Sequence, residues 1–276
     1  MTQVTPKYLE TFFKKDELEL VEQFVRDGYV IVPADDRAAL DQIQNAFVEG
    51  ASGLLSVEKP KDAKAFLDSI HTRVTVEKLN EFRLALFNQF NAFPWARKNY
   101  FAAARRYLEI LVGNELAMQK RINLSIQLPK DSSSLLPVHS DVWSGDSPFE
   151  FVVWIPLVDC FKTKSMFFLP PAENEVYSAK MGENPKQSAE DLYKSIEPHL
   201  KWLEIPYGHV LIFSHIMMHG NRVNVESATR WSMNCRFKGL FTPYWDKRLG
   251  DFFEPITLRP ASRLGMEYKL PGGFSE

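Results

Sequence analysis

The sequence predicts an α+β protein in which mainly helical residues precede a β-sandwich or barrel. Apolar residues recur at three-to-four spacing through much of residues 1–115, which is typical of amphipathic helices. Residues 116–240 instead contain alternating or short apolar runs between turns, which is typical of strands. Helices that precede a run of strands pack on one side of the sheet. We expect one domain over residues 1–276, with 116–240 as its core and 241–276 as a C-terminal extension.

Composition indicates an ordinary globular chain with a sizeable core, because 45% of its 276 residues are hydrophobic and 25% are charged. A formal net charge of -2 gives no reason to expect nucleic acid or an anionic membrane as a partner. The N-terminus has no apolar signal-like stretch, and no run reaches membrane-span length. Cys160 and Cys235 suggest no disulfide framework, so we expect a cytoplasmic protein.

The helical part begins with Asp16–Arg26, whose apolar residues recur on one face before Gly28. A short strand follows at Tyr29–Val32, and a second helix is predicted over Ala38–Val48. Residues Lys78–Leu111 are predicted to be largely helical, with an interruption near Pro94.

The strands begin with Arg121–Leu128, which alternates strictly between polar and apolar residues. A polar insertion, Glu173–His199, is predicted to be helical around Ala189–Ile196. The other predicted strands are Phe149–Val158, Met166–Leu169, Leu200–Ile205, Val210–Phe213 and Arg230–Gly239.

Two of these strands carry a polar face that helices would not cover. That face points either to water or into a polar, ligand-sized cavity, and the pattern leaves both alternatives open. The polar positions are Arg121, Asn123, Ser125 and Gln127 on the first strand and Arg230, Ser232, Asn234 and Arg236 on the last.

His139 and Asp141 are candidate metal ligands, because residues i and i+2 of an extended strand point the same way. Two histidines and a carboxylate with open positions suit oxygen-activating Fe(II). Since an HxD pair is common by chance, a distant third ligand is needed, and His219 is the best candidate. A rival zinc site at His215 and His219 lacks the glutamate that a metalloprotease helix needs, since Ile216 stands there.

Arg230 and Ser232 follow His219 and share one face of a predicted strand. A guanidinium binds a carboxylate through two hydrogen bonds, and a nearby hydroxyl adds a third. The pair is therefore suited to the distal carboxylate of a dicarboxylate such as 2-oxoglutarate. The alternative is that Arg230 pairs with a carboxylate of the protein core.

With these motifs the chain resembles the phytanoyl-CoA dioxygenase superfamily of Fe(II)/2-oxoglutarate oxygenases. More narrowly, residues 139–149 and 241–244 are similar to oxygenases of sporadic bacterial carbohydrate-biosynthesis clusters. The segments that carry the broad resemblance are residues 24–33 (FVRDGYVIVP), His139-x-Asp141, residues 153–157 (VWIPL), His219-Gly220-Asn221, Asn224 and Arg230.

The resemblance implies a double-stranded β-helix (jelly-roll, cupin-like) core that binds Fe(II), and 2-oxoglutarate as co-substrate. An intact Asp141 implies hydroxylation, desaturation or cyclisation, since halogenating relatives carry a small residue there. The metal ligands of this site would be His139, Asp141 and His219, with Arg230 and Ser232 on the co-substrate, and the resemblance adds Trp154 and Asn221 near the co-substrate. Gln127 is a further candidate for co-substrate binding, with ordinary packing as its alternative.

The expected reaction is oxidation by O2 of a small polar metabolite, such as a sugar or sugar nucleotide, with decarboxylation of 2-oxoglutarate to succinate and CO2. Two alternatives stay open: a cupin-type isomerase or lyase without an oxo acid, and a non-catalytic jelly-roll binding protein. Residues 241–276 are candidates to cap the barrel or form a homodimer contact. Candidate substrate contacts are Trp143, Asn123, Asn234 and Arg236, whereas His71, His199, His209 and His215 are interpreted as structural.

Overall fold

The structure is a computed structural model that describes residues 12–181 and 188–272. Within those ranges, no helix is both long enough and apolar enough to cross a membrane. The helices are α1 (Lys15–Asp27), α2 (Arg37–Leu55), α3 (Ala63–Asp68), α4 (Val76–Ala92), α5 (Ala96–Ala102), α6 (Arg105–Leu111), α7 (Pro171–Lys180), α8 (Ala189–Ile196) and α9 (Pro260–Glu267).

The end of α1 and the start of α2 each have a local reason for their position. Helix α1 ends at Gly28, whose φ of 76° favours glycine. A Cβ there would also lie only 2.6 Å from Sδ of Met217, so a larger residue would clash. Helix α2 begins after Asp36, whose carboxylate accepts a hydrogen bond from the Ala39 amide at 2.9 Å. The two predicted N-terminal helices are thereby confirmed.

The strands form two antiparallel sheets, so the predicted mixture of helices and sheets is confirmed. The larger sheet has the order β1-β7-β4-β9-β2-β10, with β3 also paired to β9, and the smaller has the order β6-β5-β8. The strands are β1 (Tyr29–Pro33), β2 (Leu116–Gln119), β3 (Asn123–Gln127), β4 (Glu150–Pro156), β5 (Phe167–Phe168), β6 (Lys201–Trp202), β7 (His209–Ser214), β8 (His219–Gly220), β9 (Arg230–Gly239) and β10 (Phe253–Pro255).

Strand β9 organises the larger sheet, because it pairs with β4 along one edge and with β3 and then β2 along the other. In the β3 register, Asn123 lies opposite Asn234 and Ser125 opposite Ser232. The two predicted polar faces therefore lie side by side on one surface of the sheet. Most of their residues line a cavity of about 220 Å³ together with residues of the smaller sheet, which confirms the cavity alternative for these positions. Arg121 and Gln127 do not line it. The residues that do are Asn123, Ser125, Arg230, Ser232, Asn234 and Arg236.

The opposite face of β9 packs against the helices, as expected for its apolar residues. Trp231 is fully buried, meets Phe82 of α4 edge to face at 6.2 Å, and donates an indole hydrogen bond to the Leu67 carbonyl. Phe47 of α2 stacks on Phe90 of α4 at 4.8 Å. These contacts fix the back of the sheet, and so the direction in which the polar side chains of β9 point.

Several elements were not predicted. Strand β2 has four residues, all buried, which is too short for an alternating pattern to show. Strand β10 belongs to the C-terminal extension, yet it pairs with β2 and widens the sheet. Helices α3 and α7 also lie in segments without a clear periodic pattern, and α7 begins at Pro171, a favoured first-turn residue.

Candidate metal centre

His139 and His219 are brought together by backbone pairing. The two residues form an isolated antiparallel bridge, in which each amide donates to the other residue's carbonyl at 3.0 and 2.9 Å. Residues directly opposite in such a pair project their side chains to the same side. The imidazole rings accordingly lie 4.4 Å apart between centroids.

The hydrogen bonds of both rings leave the same nitrogen free. Nδ1 of His139 lies 2.8 Å from the Pro137 carbonyl, and Nδ1 of His219 lies 2.9 Å from the Met217 carbonyl. Because a carbonyl can only accept, each Nδ1 must carry the proton and each Nε2 must keep its lone pair. Both histidines are thus held in the tautomer that binds a metal through Nε2.

Asp141 completes the triad at the start of a 3₁₀ helix, Asp141–Ser144. Its Oδ1 lies 3.9 Å from Nε2 of His139, and one ligand atom from each of the three residues lies within 4.8 Å of the others. Burial alone would raise the pKa of the Asp141 carboxyl, but the neighbouring histidines and Arg236 lower it below its ordinary value. The carboxylate is therefore ionised at neutral pH and able to bind a cation.

Aromatic residues surround His219 and exclude water from it. Phe168 stacks on the imidazole at 5.4 Å, and Phe213 meets it edge to face at 4.9 Å. This burial lowers the pKa of His219 to about 4. A neutral imidazole is what a metal requires, and a set of two imidazole nitrogens and one carboxylate fits Fe(II).

Arg236 was a candidate substrate contact, and its side chain lines the cavity. It is already engaged, however, because Nη2 donates to Oδ1 of Asp141 at 3.1 Å and Nε lies 2.9 Å from Oδ1 of Asp146. Lys247 also binds Asp146. The guanidinium therefore links a candidate metal ligand to a buried acid that the sequence did not indicate.

A second buried cluster lies behind this link and consists of Asp146, Glu150 and His215. Nδ1 of His215 lies 3.6 Å from Oε2 of Glu150. Burial lowers the pKa of His215 to about 3 and raises the pKa of Glu150 to about 7. Since Arg236 and Lys247 already neutralise Asp146, we assign no second metal here. The interpretation of His215 as a packed neutral histidine agrees with this placement.

Arg230 lies on the same cavity wall and is 3% exposed. Its guanidinium donates to the Ser165 carbonyl and to the Ser125 hydroxyl, both at 3.1 Å, and its Nε has no partner. No carboxylate of the described residues forms an ion pair with it, which removes the alternative of a core carboxylate partner. Burial lowers the pKa of Arg230 to about 10, so it remains a buried cation without a counterion.

The other predicted co-substrate residues are placed differently. Trp154 and Asn221 line the cavity, and the fully buried Ser232 lines it with a hydroxyl that has no hydrogen-bond partner. Gln127 does not line the cavity, and its amide donates to the Arg222 carbonyl at 2.8 Å. The structure therefore gathers the metal triad, Arg230, Ser232, Trp154 and Asn221 around one space and leaves Gln127 beside it.

Of the remaining candidate substrate contacts, some line the cavity and one does not. Asn123 and Asn234 line the cavity, and their side chains share a hydrogen bond of 2.9 Å. Trp143 is 43% exposed and does not line the cavity. His71 does not line the cavity and bonds through Nδ1 with Thr229 at 3.0 Å, which fits its structural interpretation.

The fold is similar to that of solved non-haem enzymes. A structure of the non-heme monooxygenase ThoJ in complex with nickel is 16% identical, with a TM-score of 0.54 over 88% of this chain and 85% of that chain. Apo ThoJ is 17% identical, with a TM-score of 0.51 over 80% and 77%. Apo HygX from Streptomyces hygroscopicus is 12% identical, with a TM-score of 0.50 over 85% and 90%.

No protein-family model matches the sequence, and no curated protein matches it. At identities of 12 to 17% the structural similarity establishes the fold alone.

Proposed function

We propose that the chain is a non-haem oxygenase that uses Fe(II) and 2-oxoglutarate, on a single-domain double-stranded β-helix of the phytanoyl-CoA dioxygenase type. One observation carries this proposal. Arg230 is a buried cation without a carboxylate partner among the described residues, in the same cavity as a His/Asp/His triad. Burying an unpaired charge is costly, so its presence indicates an anionic ligand.

His139, Asp141 and His219 would hold the iron, because they present two neutral imidazole nitrogens and one carboxylate. Three protein ligands would leave other positions on the ion for the co-substrate and O2. Bound together, Fe(II) and 2-oxoglutarate supply oxidation of a substrate C–H bond by O2, with release of succinate and CO2. The protein groups bind, orient and exclude water.

Arg230 and Ser232 would bind the distal carboxylate of 2-oxoglutarate. The free Nε of Arg230 and the free hydroxyl of Ser232 are donors that a carboxylate can satisfy. A carboxylate in that position also compensates the buried positive charge. Trp154, on the same wall, would pack against the co-substrate.

The two alternative functions, a cupin-type isomerase or lyase and a non-catalytic binding protein, each leave a feature of the site unexplained. A cupin-type isomerase or lyase would use the triad, but it would leave Arg230 without a counterion. A non-catalytic binding protein would not need two histidines locked in the metal-binding tautomer. The intact Asp141 favours hydroxylation over halogenation, and the polar walls at Asn123 and Asn234 favour a polar substrate such as a sugar.

The test is anaerobic addition of Fe(II) and then 2-oxoglutarate, followed by visible spectroscopy. We expect the weak charge-transfer band of an iron-bound 2-oxo acid in the native chain. His139→Ala should remove the band, whereas Arg230→Ala should keep it at higher 2-oxoglutarate concentrations. Absence of a band in the native chain, with no succinate formed in air, would contradict the proposal.

A further inference from the structure

A second, open groove of about 670 Å³ adjoins the metal cavity. It runs between helix α4 and the loop of residues 133–136, along the edge of β3 that pairs with no other strand in the described part of the sheet. The groove and the metal cavity adjoin each other, because they share lining residues. The shared residues are Asn123, Ser125, Leu136 and Asn234.

Exposed apolar side chains line the groove away from the metal. Val76 is 43% exposed, Leu84 is 40% exposed and Leu136 is 51% exposed. Leu79 and Phe87 of α4 lie on the same wall. A cluster of exposed apolar residues around a concave surface marks a binding site more often than a chance arrangement. The groove therefore offers an apolar surface that leads towards the metal.

The wall opposite α4 is held in place by hydrogen bonds. The Asp131 carboxylate accepts from the Ser133 amide at 2.7 Å and from the Ser134 hydroxyl at 2.9 Å. The backbone N–H of Leu136 donates to Oδ1 of Asn221 at 2.6 Å. In return, the backbone N–H of Asn221 donates to the Leu136 carbonyl at 3.0 Å. Because Asn221 follows the ligand strand β8, the groove is preformed at a fixed position relative to His219.

Charge in the groove is sparse. Arg83 is the one ionisable side chain among the described residues that line it. Its Nη2 donates to Oδ1 of Asn80 at 2.8 Å, and its Nη1 donates to the Leu124 carbonyl at 3.4 Å. A pyrophosphate carries at least two negative charges and needs several cations or backbone amides. The groove can balance at most one negative charge.

The junction with the metal cavity is polar and uncharged. Asn123 donates to Oδ1 of Asn234 at 2.9 Å, which leaves further amide donor and acceptor sites free for a ligand. Ser125 stands between this pair and Arg230. A ligand that spans both spaces would therefore place a hydroxyl- or carbonyl-bearing end near the metal and an apolar part against α4.

From these features we infer that the substrate is an amphiphile with no charge or one negative charge. Its polar end reaches the metal past Asn123 and Asn234, and its apolar ring or chain lies between α4 and the 133–136 loop. The inference rests on the proposed function and narrows it, because it disfavours a sugar nucleotide while keeping a sugar-like polar end.

Single-cysteine labelling provides the test, because Cys160 and Cys235 are both buried. Leu84→Cys and, as a matched control outside the groove, Leu264→Cys would be labelled with a bulky maleimide. The probe is 8-anilinonaphthalene-1-sulfonate, an aromatic amphiphile with one negative charge, followed by its fluorescence. Octyl glucoside below its micelle concentration and UDP-glucose serve as competitors.

We expect the Leu84 label to weaken probe binding by about tenfold or more, while the Leu264 label leaves it within about twofold. Octyl glucoside should displace the probe from the native chain and UDP-glucose should not. Retained probe binding after Leu84 labelling, or stronger competition by UDP-glucose, would overturn the inference. Val76→Cys gives a second labelling position, and circular dichroism checks folding.

The iron and 2-oxoglutarate band separates this result from the proposed function. Labelled Leu84→Cys should keep the band, because Leu84 lines the groove and not the metal cavity. Loss of probe binding with the band retained supports both proposals. If the native chain shows no band, the proposed function fails whatever the probe does.

Discussion

The Arg236 guanidinium joins Asp141 to Asp146, with Nη2 donating to Oδ1 of Asp141 at 3.1 Å and Nε lying 2.9 Å from Oδ1 of Asp146. Asp146 is 1% exposed and also binds Lys247, so the anchor behind the guanidinium is itself fixed. A residue of β9 thereby sets the orientation of a candidate metal ligand at the start of a 3₁₀ helix. Side chains that hold a metal ligand in place in this way contribute to metal affinity through the orientation of that ligand.

Replacing Arg236 should weaken metal binding. Arg236→Gln removes the charge and the fork that hold Asp141, so we expect Fe(II) or Co(II) affinity to fall by about 10–100-fold. Competition against a chromogenic chelator under anaerobic conditions measures the change. The control is Arg121→Gln, an exposed arginine whose Nη2 bonds to Asn88. Equal metal affinity in Arg236→Gln and the native chain would show that Asp141 needs no such support.

Replacing Arg230 should stabilise the ligand-free protein and weaken co-substrate binding. Arg230→Met removes a buried, unpaired cation, so the free energy of unfolding without ligand should rise by on the order of 1 kcal/mol or more. The same change should weaken 2-oxoglutarate binding by about 2–5 kcal/mol. Urea unfolding and calorimetric titration measure the two effects. Arg222→Met, which breaks a part-exposed pair with Glu190, should do neither.

Glu150 should make the protein less stable as pH rises. Burial raises the pKa of Glu150 to about 7 from its ordinary value of 4.5, so the folded state holds a proton that the unfolded state releases. The contribution of Glu150 to the free energy of unfolding is therefore fully present below pH 4.5. It is lost as pH rises through 7, by up to about 3 kcal/mol. Glu150→Gln mimics the protonated acid and should remove this loss.

Urea unfolding at acidic and alkaline pH measures the difference between the native chain and Glu150→Gln. Comparing the two chains cancels the opposite contribution of the buried histidines. Glu58→Gln at an exposed position should behave as the native chain does. A constant difference across pH would mean that Glu150 is already ionised in the folded protein.

Gly220 should tolerate no side chain. A Cβ there would lie 2.8 Å from the Leu136 carbonyl and 2.9 Å from Cζ of Phe167, so Gly220→Ala should cost about 1–3 kcal/mol. It would also push on the neighbouring Pro137 carbonyl, which accepts from His139, and so reduce metal affinity. Thermal unfolding and chelator competition test both effects.

Gly53 provides the matched control for that substitution. It lies in helix α2, and a Cβ there meets nothing within 4 Å. Gly53→Ala should therefore stabilise the protein by about 0.5–1 kcal/mol without changing metal affinity. Similar losses in both variants would argue against a packing restriction at Gly220.

The polar wall of the cavity could be predicted from the sequence because strands alternate with a period of two. Asn123 and Ser125 on β3, and Arg230, Ser232 and Asn234 on β9, line the cavity as that alternation requires. The apolar residues that alternate with these polar residues on both strands lie in the core that the helices cover.

The proximity of the three candidate metal ligands could also be predicted, since His139 and Asp141 are close in sequence and few distant histidines compete. The cluster of Asp146, Glu150 and His215 could not, because its members meet only through tertiary packing. The face of Arg236 was predicted correctly, but its partners were not. No local sequence pattern indicates that Asp146, which lies in a loop, will pair with Arg236 on strand β9.

The most direct test of the central claim is the affinity for 2-oxoglutarate with and without Fe(II), measured anaerobically by calorimetric titration. We expect Fe(II) to strengthen 2-oxoglutarate binding by at least tenfold, about 1.4 kcal/mol. The reason is that the iron held by the triad and the Arg230 guanidinium would bind opposite ends of the same ligand. Glutarate, which lacks the 2-oxo group, should gain much less, and His219→Ala should remove the gain. Equal 2-oxoglutarate affinity with and without Fe(II) in the native chain would contradict the claim.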